Sequence, residues 1–247
     1  MKKYAITDIG RERTSNQDQA FVYENKNRDT LGIVCDGMGG HKAGSYASLL
    51  AAKTVLDCFI EAEEFESSEQ ASNWVYDAVM NANAALKDKS ETEEKFSGMG
   101  TTMVITLVLK NMILIANVGD SRVYRYRDNE IKQVTKDQTL VNILLDTGKI
   151  TTAEAINHPN KHVLMYAIGT MDEPQIDIYE LKKENCSLLM CSDGVYNLVT
   201  SAYLKTILES SLPISQKAIS IINDANENGG YDNMSVVIME VEENGEQ

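Results

Sequence analysis

Five aspartates stand where apolar runs begin or end. Asp36 follows residues 31–35, Asp120 follows 112–118, and Asp193 follows 187–191. Asp232 precedes 234–241, and Asp18 precedes Ala20-Phe21-Val22. All but Asp18 have a glycine or asparagine neighbour: Asp36-Gly37, Gly119-Asp120, Asp193-Gly194 and Asp232-Asn233. Any one of these pairs reads as a turn. Together they read differently, because strand termini of one packed sheet system converge at an edge. Carboxylates gathered there repel one another, and either protonation or a cation must relieve the repulsion. An all-oxygen ligand set suits Mg²⁺ or Mn²⁺ rather than zinc, which favours histidine and cysteine.

The stretch Val34-Cys35-Asp36-Gly37-Met38-Gly39-Gly40-His41-Lys42-Ala43-Gly44-Ser45 sharpens the point. Strand, glycine turn, helix is the usual setting for a phosphate held on backbone N–H groups. A carboxylate at its mouth would repel that ligand, unless cations and not the loop attract the phosphate. The glycines then free a backbone carbonyl, such as that of Gly37, to face a metal. A dinucleotide fingerprint requires glycine where Lys42 stands, and a P-loop requires lysine where Ser45 stands. Both are excluded.

The elements that must position these acids are readable from pattern. Strands are expected at 31–35, 102–109, 112–118, 122–126, 187–191 and 234–241, all rich in β-branched residues. Lys110-Asn111 marks a tight hairpin between the second and third. Helices are expected over 43–60 and 71–86, where Ala47, Ala51, Val55 and Phe59, then Ala71, Val75, Val79 and Leu86, keep a 3.6-residue period. A third is expected over 215–226, stopped by Gly229-Gly230. Helices come in groups between hairpin-linked strands, which favours an α+β fold with antiparallel sheets. Residues 136–169 carry only short helical patterns, at 138–146 and 152–157, and read as an excursion able to gate a site.

The 247 residues carry a formal net charge of −14, which disfavours nucleic acid and anionic membrane as partners. Hydrophobic residues make up 43%, enough for a sizeable core. No apolar run is long enough to span a bilayer, and none follows Met1-Lys2-Lys3, so neither a transmembrane helix nor a signal peptide is expected. The four cysteines lack CxxC spacing, and Cys35 and Cys191 sit inside apolar runs, as reduced core residues of a cytoplasmic protein would. With no linker and no internal repeat, 1–247 reads as one domain.

Six ordered blocks carry a resemblance. They are Gly10-Arg11-Glu12-Arg13-Thr14-Ser15-Asn16-Gln17-Asp18; Val34-Cys35-Asp36-Gly37-Met38-Gly39-Gly40-His41; Gly98-Met99-Gly100-Thr101-Thr102; Val118-Gly119-Asp120-Ser121-Arg122; Ser192-Asp193-Gly194; and Asp232-Asn233-Met234-Ser235. In this order the sequence resembles the metal-dependent Ser/Thr phosphatases of the PPM, or protein phosphatase 2C, family in their compact bacterial form. The resemblance implies a four-layer α-β-β-α sandwich: two antiparallel sheets flanked by helices, with metals in a cleft at one end. It implies that Asp36 bridges two Mn²⁺ or Mg²⁺ ions, that the Gly37 carbonyl ligates one, and that Asp193 and Asp232 complete the other. Asp120, with Asp193, would hold a third, weaker ion. Asp18 would sit beside the bridging water, Arg13 would bind the substrate phosphate, and 136–169 would be the variable flap.

The sequence departs from the family at named positions. Gln17 stands where many members carry glutamate, and a neutral amide does not supply the same charge. Met38 stands where animal members carry a histidine proposed as general acid. His41 reads first as a helix cap and second as a proton donor. Lys161-His162 and Tyr166 replace the expected Arg-Asn and Arg of the flap, and His158 and His162 read as solvated. The reaction implied is hydrolysis of phosphoserine or phosphothreonine esters in proteins by a metal-activated water, opposing a Ser/Thr kinase, in a monomer. The rival is a non-catalytic or single-partner phosphoprotein-binding module on the same fold, which loss of the metal acids would signal; Asp36, Asp193 and Asp232 are all present.

Overall fold

Strands covered on both faces must be apolar at consecutive positions. The continuous apolar runs of this chain accordingly form the interiors of two sheets. The computed structural model describes residues 1–156 and 158–243, apart from the side chain of His41. The chain opens with β1 (Lys2–Asp8), β2 (Asp18–Glu24) and β3 (Thr30–Met38). Helices α1 (His41–Ile60) and α2 (Ser68–Thr92) follow. Next come β4 (Gly100–Thr101), β5 (Met103–Val108), β6 (Met112–Val118), β7 (Arg122–Arg127) and β8 (Glu130–Gln133). The segment 136–169 holds α3 (Leu140–Asp146) and α4 (Thr152–Ile156). The chain then forms β9 (Asp177–Lys182), β10 (Cys186–Cys191), α5 (Asp193–Tyr196), α6 (Ser201–Glu209), α7 (Ile214–Glu227) and β11 (Met234–Val241).

One sheet has the order β1-β11-β10-β7-β8 and the other β2-β3-β5-β6-β9, with β4 paired to β3, and every pairing is antiparallel. Side-chain alternation within single strands generates the layers. In β3, Leu31, Ile33 and Cys35 face Ala47, Ala51, Val55 and Phe59 of α1 and Val75, Val79 and Leu86 of α2. Between them, Val34 faces the other sheet. In β11, Val236 and Ile238 pack with Leu204 of α6 and Ile221 and Ile222 of α7. Val237 and Met239 point the opposite way, onto Val104, Ile113 and Ile115. The result is the expected α+β, four-layer sandwich.

The helix expected over 43–60 begins at His41, and that over 71–86 spans Ser68–Thr92, where the Ser67 hydroxyl accepts the Gln70 N–H at 3.1 Å as a cap. The helix expected over 215–226 spans Ile214–Glu227. Of the pattern at 152–157, Thr152–Ile156 is helical and Asn157 lies outside the described residues. One expectation is corrected at the site itself. The strand expected to end at Cys35 continues to Met38, so Asp36 and Gly37 belong to β3. Pairing with Thr101 and Gly100 of β4 extends it. Among the described residues no helix is long and apolar enough to cross a membrane.

Candidate metal centre

Asp18 opens β2 and lies directly opposite Asp36 of β3 in the antiparallel register. Two carboxylates facing each other across strands are destabilising unless something offsets their charge. The backbone around Asp36 is held rigidly. Its N–H donates to Thr102 Oγ1 at 3.0 Å, and its carbonyl accepts from Thr102 N at 2.8 Å and from Thr101 Oγ1 at 2.9 Å. Gly37 is required for close approach: a β-carbon there would stand 2.1 Å from the Gly44 carbonyl oxygen of α1 and 2.6 Å from that of Gln17. Contact with α1, and not carbonyl freedom alone, thus explains this glycine.

The opposite sheet contributes Asp193 and Asp232. Asp193 starts the short helix α5, and Asp232 stands two residues before β11. Asp120 follows β6, in the same sheet as β2 and β3, and its Oδ2 accepts the Tyr196 hydroxyl at 3.1 Å. Electrostatics show that these groups share one neighbourhood. Burial holds the Asp36 carboxyl well above its ordinary range, and the charges of Asp18, Asp193, Asp120 and Asp232 push it in the same direction. Burial also raises Asp18 to about 7, opposed by a 2.6 Å hydrogen bond from the Ser192 hydroxyl. Asp120 is raised to about 7 by burial and then by Asp193 and Asp137. Asp193 is raised by burial and then by Asp232.

Three of the acids each accept a protein donor on one oxygen: Asp18 from Ser192, Asp120 from Tyr196, and Asp232 from Arg13 at 2.7 Å. Among the described residues no three His, Cys, Asp or Glu side chains form a ready cage. The donor set nevertheless fits a hard cation: the ligand atoms are carboxylate oxygens, and Asp193 Oδ1 is buried without a hydrogen-bond partner.

Arg13 is half exposed and also donates through Nε to the Tyr231 carbonyl at 3.3 Å. The structure therefore seats it on a site carboxylate. The His41 side chain lies outside the described residues. His162 is exposed, as expected, and lines a cavity of about 200 Å³ between the 136–169 segment and Asp120 and Tyr196.

Three supporting residues escaped the sequence reading although they sit in or beside its quoted blocks. Ser192 donates to Asp18 and accepts the Ser235 N–H at 2.9 Å. Asn233 accepts the Gln17 N–H at 2.8 Å and donates to the Ile9 and Ser15 carbonyls at 2.9 and 3.0 Å, tying residues 9–17 to β11. Tyr196 holds Asp120.

Residues 10–227 match the family described as Protein phosphatase 2C. The chain belongs to the protein phosphatase 2C family. It is 38% identical to the serine/threonine phosphatase stp of Listeria welshimeri, over 95% of this chain and 93% of that one. The structure of the S. agalactiae serine/threonine phosphatase superposes with a TM-score of 0.91 at 32% identity, covering 98% of this chain and 99% of that one. The catalytic domain of the serine/threonine protein phosphatase PstP, solved in complex with two manganese ions, superposes with a TM-score of 0.82 at 32% identity over 98% of both chains. The phosphatase 2C sandwich expected from the six blocks is thus the fold observed.

Proposed function

We propose that this chain is a metal-dependent protein phosphatase that hydrolyses phosphoserine and phosphothreonine esters in proteins. The observation that carries the reading is the gathering of Asp18, Asp36, Asp120, Asp193 and Asp232 from both sheets into one electrostatic neighbourhood, with a buried, unpartnered oxygen on Asp193. The manganese-bound relative supports divalent ions as the cofactor, two in number; Mn²⁺ or Mg²⁺ suits the oxygen donors. Asp36 would be shared by both ions, with the Gly37 carbonyl beside it and Asp193 and Asp232 completing the set. Asp120, with Asp193, would serve a third, weaker position.

Bound divalent ions supply the charge that makes a water nucleophilic and neutralises phosphoryl oxygens. The remaining work falls to the protein. Asp18, buried opposite Asp36 and fixed by Ser192, would orient the water through its carboxyl oxygens. Arg13 exchanges Asp232 for the substrate phosphate, which its planar fork matches in two-point contact. His41 is the candidate proton donor. No covalent phosphoenzyme is required. Burial pushes the Cys35 thiol well above its ordinary value and the Cys191 thiol to about 12, so neither is a thiolate nucleophile.

At the level of the cell, the reading is a cytoplasmic monomer acting on phosphoproteins and opposing a Ser/Thr kinase, with no nucleic-acid or membrane partner. One domain carries the activity, and residues 136–169 form its flap. A non-catalytic binding module is disfavoured because the metal acids are retained. The test is phosphate release from phosphoserine, phosphothreonine and phosphotyrosine peptides and a phosphodiester, with Mn²⁺, Mg²⁺ or chelator. Release from phosphothreonine and phosphoserine with metal, abolished by chelator, is expected. Metal-independent release, or preference for the diester, would overturn the reading.

A further inference from the structure

The Asp120 carboxylate is oriented by a chain of contacts reaching the base of the 136–169 segment. Tyr196 Oη donates to Asp120 Oδ2 at 3.1 Å. The Arg122 guanidinium lies over the Tyr196 ring, 3.5 Å from its centroid, close enough for a strong cation–π contact. Arg122 cannot drift from that position. Its Nε donates to Asp137 Oδ1 at 3.0 Å and its Nη2 to Asp137 Oδ2 at 2.6 Å, a two-point clamp, and its Nη1 donates to the Tyr124 hydroxyl at 3.0 Å. Asp137 is itself held: Gln133 Nε2 donates to its Oδ1 at 2.8 Å, and Asn142 Nδ2 of α3 donates to its carbonyl at 2.8 Å.

We propose that Tyr196 and Arg122 are positioning residues that aim the Asp120 carboxylate at the third, weaker cation position it would serve, so that α3 and this position are set together. The proposal rests on the phosphatase reading and assigns roles to two residues which that reading leaves without one. A hydroxyl that served only packing would be dispensable when the ring remained. Here the hydroxyl is the part that meets Asp120, and the ring is the part that meets Arg122.

The test uses the full chain, stripped with chelator, as unsubstituted protein and as Tyr196→Phe and Arg122→Lys. Tyr196→Phe keeps the ring under Arg122 and removes one hydrogen bond. Arg122→Lys keeps the charge and removes the fork. Calorimetric titration with Mn²⁺ is expected to show the tighter binding events unchanged within about twofold, and the weakest event weakened about tenfold in both variants, the scale of losing a hydrogen bond to a charged group. The Mn²⁺ concentration for half-maximal phosphate release should rise by a similar factor, with kcat recovered at saturating Mn²⁺. Asp120→Asn combined with Tyr196→Phe should be no worse than Asp120→Asn alone, because the hydroxyl then has no carboxylate to aim. Variants that titrate with Mn²⁺ like the parent, or a Tyr196→Phe effect that persists without Asp120, would overturn the proposal. The binding readout decides this even if the parent releases no phosphate, an outcome that would instead count against the phosphatase reading.

Discussion

Asp18 facing Asp36 across adjacent strands breaks a local rule of sheet stability, and both are held against burial and mutual repulsion. Places where a fold violates its own local preferences are where function is expected. These acids were legible in the sequence because each marks the end of an apolar run. Their neutral partners were not. Ser192 meets Asp18 across 174 residues of chain and Asn233 meets Gln17 across 216, and no local pattern encodes such a contact. Arg13 was legible only through its block, and its pairing with Asp232 was not foreseen. That pair is half exposed, so it adds little stability and exchanges partner readily. Arg13→Ala is accordingly expected to lower kcat/KM on a phosphothreonine peptide by about 10–100-fold, the scale of a lost charge-assisted contact to phosphate, while stability to urea changes by less than about 0.5 kcal/mol. Steady-state kinetics beside a urea melt checks both. Unchanged kcat/KM would remove Arg13 from phosphate binding.

At the scale of elements, sequence pattern recovered one class of strand and missed another for a physical reason. The expected strands correspond to β3, β5, β6, β7, β10 and β11, which are the interior strands of the two sheets. Covered on both faces, all but β7 are largely apolar, while β7 is half-buried and carries Arg122, Arg125 and Arg127. Of the unrecognised strands, β1, β2, β8 and β9 are the four edges, and β4 is a two-residue pairing onto the end of β3. In β9, half-buried and exposed residues alternate, and β8 is largely exposed. Such strands look like loops when composition alone is read. Helix α6 was missed as well; it is only Ser201–Glu209, too short for periodicity to stand out. The link between edge and interior carries the site. Asn233, just before β11, is 4% exposed and makes three hydrogen bonds that pin the 9–17 segment bearing Arg13 and Gln17. Asn233→Ala leaves the Gln17 N–H and two carbonyls to seek new partners. It should cost about 2–4 kcal/mol in urea unfolding with chelator present. A loss under about 0.5 kcal/mol would show that the segment is held by other means.

For the whole molecule, an excess of 14 negative charges and a site of raised carboxyl groups act in the same direction. Asp18 and Asp120 release their protons near 3.8 in the unfolded chain and near 7 in the fold. Between these values the folded state binds more protons than the unfolded one. Its stability is therefore full at the acid side and falls as pH rises through about 7. Without divalent ions, the melting temperature should drop between pH 5 and 7.5 by about 10–20 °C, the equivalent of about 5 kcal/mol for the two groups together. Saturating Mn²⁺ should raise the melting temperature most at the upper end of that window, because the ion favours the deprotonated acids. A chelated melting temperature that rises or stays flat across the window would contradict the assignment of these burdens to the site. The most direct test of the central claim, that the aspartates together cage cations with Asp36 in common, is Mn²⁺ calorimetry on the stripped protein and on Asp36→Asn. Two tightly held ions per chain, both weakened by about 100-fold or more in Asp36→Asn, are predicted. Absence of binding in the parent, or two ions held equally well by Asp36→Asn, would contradict it.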